Sequence, residues 1–91
     1  MIIIINDDEH YLRWIEENPD GLVVNTTNPP SPGYLKLHRS TCRDISTSSR
    51  SNWTTNDYLK VCSNDLGELD EWARRRIGGE LSACQRCYLN D

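Results

Sequence analysis

The 91-residue chain contains no Phe, one Met and two His. Its aromatic bulk therefore rests on three Trp and four Tyr, side chains whose polar atoms need partners when buried. Only 36% of residues are hydrophobic and the mean hydropathy is −0.70. No apolar run approaches the roughly 20 residues of a membrane span. A Gly-rich phosphate loop, a His-Glu-x2-His pair and a nucleophile elbow are also missing, and their chemistries go with them. Length alone excludes a Rossmann domain or a TIM barrel. A single domain this small has a thin core and calls for a metal or disulfide staple.

A strong positive charge is lacking as well. Ten basic and fourteen acidic residues give −4 and a pI near 5.0, the wrong sign for a protein that simply coats nucleic acid. The distribution is uneven. Residues 1–33 hold six acids and one Arg, net −5; residues 34–62 hold five bases and two acids, net +3; residues 63–91 hold four Arg and six acids, net −2. The start, Met1 to Asp8, has no basic leader region and turns acidic at once, so it does not read as a secretory signal. Cytoplasmic residence is the resulting expectation. There thiols stay reduced, and a Cys pattern points to metal before disulfide.

Along the chain, Ile2–Ile5 suits a buried strand or a strap against the core. Asn6 or Asp7 can cap a helix over 8–17, with Tyr11, Leu12 and Ile15 on one face and Trp14 at its border. Asn18-Pro19-Asp20-Gly21 stops it. Strands are expected at 22–25, 34–38 and 57–62, with Thr26–Gly33 as a proline-rich turn and 44–56 as a polar, mobile loop. Asp65 and Glu68 suggest a capping box for a helix over 66–77, whose apolar stripe is Leu66, Leu69, Trp72, Ala73 and Ile77. Arg74–Arg76 suit its last turn, and Gly78-Gly79 ends it.

The most specific signal is His38-x3-Cys42 paired with Cys84-x2-Cys87. Each short spacing can aim two donors at one ion, and three sulfurs with an imidazole suit tetrahedral zinc better than magnesium or calcium. The pairs are separated by 41 residues between Cys42 and Cys84, so an ion would tie the middle of the chain to its end. A disulfide or redox pair, and free structural thiols, are the competing readings; for His38 it is a hydrogen-bonded surface histidine. Cys62 reads as a buried small hydrophobe and His10 as a solvated histidine. Asp7, Asp8 and Glu9 read as helix-start acids.

The order strand, His38-Arg39-x2-Cys42, loop, strand, helix, Gly78, then Cys84-x-Arg86-Cys87 resembles the zinc-binding domain of Ada-type DNA methyl-phosphotriester repair proteins. The resemblance covers roughly residues 34–88, leaving 1–33 as a helix–strand extension. It implies that His38, Cys42, Cys84 and Cys87 are ligands of Zn2+. In that family the first ligand is the thiolate that accepts the methyl group. His38 stands in its place here and has no nucleophilic sulfur, so the repair reaction is expected to be absent and the module non-enzymatic. A fainter resemblance links residues 11–25 to small modules of bacterial restriction and defence proteins.

Lys36, Arg39, Arg43, Arg50 and Lys60, with Trp53 among them, surround the proposed knuckle in sequence. Bases interleaved with aromatics suit a phosphate backbone with stacked bases; the competing reading has the tyrosines packing the sheet and the cations pairing with N-terminal acids. Trp53 either pins its loop or meets a partner.

The expectation is thus an α+β domain with an antiparallel sheet of about three strands, two helices and one structural zinc. It would bind DNA or another nucleic acid in a repair, modification or restriction setting. Alternatively it would use its acidic N-terminal third to bind a larger protein. No membrane contact and no small-molecule substrate are expected.

Overall fold

A computed structural model describes residues 1–45, 53–54 and 57–88. Strands β1 (Ile2–Ile4), β2 (Leu22–Ser31), β3 (Tyr34–Arg39), β4 (Tyr58–Ser63) and β5 (Ser82–Ala83) form one sheet in the order β1-β4-β2-β3-β5. All neighbours are antiparallel except β3 and β5, which run parallel. Helix α1 (Asp8–Glu17) follows β1, α2 (Leu66–Trp72) follows β4, and α3 (Gln85–Tyr88) follows β5. The class is α+β, with five strands and three α-helices among the described residues where the sequence suggests three and two.

The differences have local causes. Ile2–Ile4 becomes a true edge strand on β4. Ser82–Ala83 is too short to show alternation, yet pairs with Lys36 and Leu37. The expected turn at Thr26–Gly33 is mostly strand: β2 continues to Ser31 through a cis Asn28–Pro29 bond. The prolines fall beyond Thr27↔Tyr58, the last pair that β2 makes with β4, where no ladder donor is required of them. The register with β3 slips there, between Thr26 and Ser31, and the Thr26 hydroxyl accepts the freed Ser31 N–H at 3.2 Å.

Period-two alternation sends side chains to two separate cores. On one face Val24, Leu35, Leu37, Leu59 and Val61 meet Leu69, Trp72 and Ala73 of α2 and the turn after it. On the other, Val23, Cys62 and Ile4 meet Tyr11 and Ile15 of α1, together with Cys42, Ile45, Trp53 and Cys84. A sheet covered on both sides explains why every residue of β4 after Tyr58 is buried, and why its alternation is hard to phase from sequence.

Asp7 caps α1, its carboxylate accepting the His10 N–H at 3.0 Å. Asp8 reaches instead to Thr54, accepting its N–H at 2.7 Å and its hydroxyl at 2.8 Å. The Thr54 hydroxyl also accepts the Asp7 N–H at 2.7 Å, and its carbonyl accepts the Asn6 N–H at 2.7 Å. The helix start thereby clamps the chain just after Trp53. At α2, Asp65 accepts the Glu68 N–H at 3.3 Å, but the returning half of the capping box runs through Ser63. Its hydroxyl accepts the Asp65 N–H at 3.0 Å and donates to Glu68 at 2.9 Å. Leu66 is exposed and drops out of the expected stripe.

The helix widens into a π-helical turn over Ala73–Ile77. Its carbonyl at Ala73 takes the N–H groups of both Gly78 and Gly79. Gly78 adopts φ 81°, a left-handed cap that favours glycine. Gly79 passes so close to the β2–β3 hairpin that a Cβ would stand 2.6 Å from the Pro32 carbonyl oxygen. Gly79→Ala is therefore expected to destabilise the protein by about 1–3 kcal/mol, the usual cost of overpacking, read as a lower urea midpoint. An unchanged midpoint would show that the hairpin can move away.

Candidate metal centre

His38 sits near the end of β3, buried on the α1 side of the sheet. The next residues turn sharply, with the Cys42 N–H donating to the Arg39 carbonyl at 2.9 Å, and this returns Cys42 beneath the histidine. Cys84 arrives from the far end of the chain. The parallel β5 pairing sets Ala83 beside Leu37, and the Cys84 N–H extends the ladder to the Leu37 carbonyl at 2.8 Å. One turn of α3 then carries Cys87 to the same spot. The two-residue strand that the sequence does not reveal is thus the device that closes the site.

The ligating atoms of His38, Cys42, Cys84 and Cys87 all lie within 4.8 Å of one another. The Cys42 and Cys84 sulfurs are 4.0 Å apart. Tetrahedral thiolates about 2.3 Å from one ion stand about 3.8 Å from each other, so a cation fits with small adjustments. The first three residues are buried and Cys87 is half-buried. No cysteine is in a disulfide. His38, Cys42, Cys84 and Cys87 form a cluster able to hold a metal ion.

Electrostatics favour the same occupant. Burial lowers the His38 pKa to about 4, which keeps the imidazole neutral, the form that binds metal. Its buried Nδ1 has no hydrogen-bond partner. Burial pushes the Cys42 thiol up to about 12, so ionisation there calls for a neighbouring cation. At Cys84 burial also opposes ionisation, but the backbone N–H groups of Cys87 and Arg86, aimed at its sulfur, outweigh it and the pKa falls. The Arg39 N–H points at the Cys87 sulfur at 3.5 Å. Such N–H···S contacts orient thiolate ligands from a second layer. Asp44 stands beside Cys84 at 3.7 Å and pairs with Arg86 at 3.3 Å.

Cys62 lies outside this group. It is fully buried between Val23 and Ile2 on the ladder, and burial raises its pKa to about 12, as suits a small hydrophobe.

The residues expected to meet nucleic acid do not form one surface. Lys36 shares the face of His38 and is half-buried. Alternation turns Arg39 to the opposite face, where it lines a shallow hollow with Leu22 and Thr41. Arg43 is exposed, and Arg50 lies outside the described residues. Trp53 and Lys60 are 2% and 3% exposed, core residues and not the nucleic-acid contacts the sequence suggests. Trp53 packs against Tyr11 with ring centroids 6.2 Å apart. The Lys60 ammonium donates to the Trp53 carbonyl at 2.6 Å and to Asn25 at 2.8 Å, and lies 5.6 Å from the Tyr11 ring centre. Trp53 is therefore a core side chain; the rest of the expected loop, 46–52 and 55–56, lies outside the described residues. The missed signal is Lys60 itself, a cation inside an apolar strand with aromatics to seat it.

Compared with protein-family models, with curated proteins and with solved structures, the chain matches none. Among the described residues, no helix is long and apolar enough to cross a membrane.

Proposed function

We propose that this chain is a non-enzymatic zinc-binding module that acts by binding a partner, with nucleic acid as the partner its charge pattern favours. The observation that carries the metal reading is the convergence of one imidazole and three thiols within 4.8 Å. Zinc is favoured by that soft, closed donor set. Four protein ligands leave no position for an activated water, which speaks for a structural ion. Kinship with Ada-type zinc domains fits the ligand order, and His38 in the acceptor position speaks against methyl transfer.

The nucleic-acid reading is supported by the net charge of +3 across residues 34–62 and by Arg43 at the surface beside the cluster. Affinity for a DNA duplex or single strand is expected to fall steeply with salt. Arg43→Ala should flatten the logarithmic salt slope by about one, the share of a single phosphate contact. An absence of binding at low salt would favour a second reading, in which the exposed acids Glu9, Glu16 and Glu17 of α1 and Asp20 beyond it meet a basic protein partner.

A further inference from the structure

A cavity of about 280 Å³ opens beside the metal cluster, on the same face of the sheet. Its floor is a row across three strands: Asn25 of β2 pairs with Lys36 of β3 on one side and Lys60 of β4 on the other. Tyr34 and Tyr58 stand over this row, 41% and 40% exposed, with ring centroids 6.0 Å apart. His38 and Cys84 bound the cavity on the metal side.

The row is arranged before any ligand arrives. The Asn25 carbonyl oxygen takes the Lys60 ammonium at 2.8 Å, and its amide group donates to the Tyr34 hydroxyl at 3.4 Å. That orientation leaves the Tyr34 proton able to point into the cavity. Lys36 makes no ion pair among the described residues. Asp44 also faces the cavity, with one carboxylate oxygen on Arg86 at 3.3 Å and the other beside the Cys84 sulfur at 3.7 Å.

We propose that this cavity binds a small phosphomonoester. Its phosphate meets the Lys36 ammonium and the Tyr34 hydroxyl, the fixed Lys60 charge lies behind it, and its organic part rests against the Tyr34–Tyr58 pair. Lysines serve phosphate as point charges, whereas a planar carboxylate favours the arginine fork. The volume admits one phosphate and one ring, and the tyrosine faces suit an aromatic substituent. This proposal is independent of the nucleic-acid reading.

The test is a titration of the metal-loaded protein with phenyl phosphate, followed by amide chemical shifts, with phenol and inorganic phosphate run alongside. Saturable shifts at Asn25, Tyr34 and Lys36 are expected, with phenyl phosphate binding more tightly than inorganic phosphate and phenol leaving them unmoved. Lys36→Gln, which keeps most of the side-chain stem at a half-exposed position, should weaken binding roughly tenfold, the scale of one charge-assisted hydrogen bond. Tyr34→Phe removes only a hydroxyl and should weaken it several-fold. Arg75→Gln with Arg76→Gln, on the helix covering the opposite face, should change nothing. The proposal is overturned by an absence of saturable shifts, by Lys36→Gln binding as wild type, or by shifts confined to Arg74–Arg76 of the π-helical turn. A single-stranded oligothymidylate that occupies the same residues far more tightly would also overturn it, assigning the cavity to a nucleic-acid contact.

Discussion

Stripping the metal with a chelator under reducing conditions is expected to abolish the cooperative thermal transition, or to lower its midpoint by tens of degrees. Structural zinc contributes on the order of 10 kcal/mol or more to small folds at neutral pH, comparable with the whole stability of a typical domain. The physical reason lies in the α1-side core. Cys42 and Cys84 are part of that core, and without a cation two buried thiols, the half-buried Cys87 and the unpartnered Nδ1 of His38 are left facing one another with no charge to draw them together. Cys87→Ser should reproduce most of the loss. Cys62→Ala should cost only the one to two kcal/mol of a small core truncation, because that thiol belongs to packing alone. Melting curves followed by circular dichroism decide the matter. A chelated protein that melts like the loaded one, or a Cys87→Ser variant that does, would contradict a structural metal.

The second large effect belongs to Trp53. Trp53→Ala is expected to cost about 3–5 kcal/mol, the usual penalty for removing a buried aromatic, and so to lower the melting midpoint by 15 °C or more in a domain of this size. Trp53 is 2% exposed, packs against Tyr11 and lies 6.0 Å from the buried Lys60 ammonium. Its removal opens a cavity and weakens the seat of a charge that has left water. Trp53→Phe keeps a ring against Tyr11 and should recover more than half of the loss. A Trp53→Ala variant less than 1 kcal/mol below wild type in urea unfolding would show that the residue is dispensable to the core.

These two side chains also mark what the sequence makes legible. The ligand set was readable because Cys-x2-Cys and His-x3-Cys carry their geometry in their spacing, and the structure brings all four residues together. The helix over 8–17 was readable from Asp7, Pro19 and the spacing of Tyr11 and Ile15. Trp53 and Lys60 were not, because a polar loop around one and a positive charge on the other are local signals of exposure. Tertiary context reversed both, through the Asp8–Thr54 clamp next to Trp53 and the carbonyl and amide oxygens that receive the ammonium.

The sheet was half legible for a similar reason. Leu22–Asn25, Tyr34–His38 and Asp57–Cys62 alternate or carry β-branched residues, but Ser82–Ala83 has no pattern to read. Its place is set by the Cys84 N–H on the Leu37 carbonyl and by the neighbouring cluster. The proline-rich stretch misled in the other direction. Three prolines suggest a turn, yet Pro29 and Pro30 can occupy a strand where β4 no longer pairs with it. Arg39 shows the limit of reading charge by proximity in sequence: three residues from Lys36, it faces the other side of the sheet.

X-ray absorption at the zinc edge of the purified, reduced protein tests the central claim most directly. One zinc per chain is expected, with three sulfur neighbours near 2.3 Å and a single nitrogen near 2.0 Å. A shell of four sulfurs would replace His38 with Cys62, an oxygen-rich shell would move the ion elsewhere, and a chain without zinc would leave the cluster as three packed thiols and a histidine.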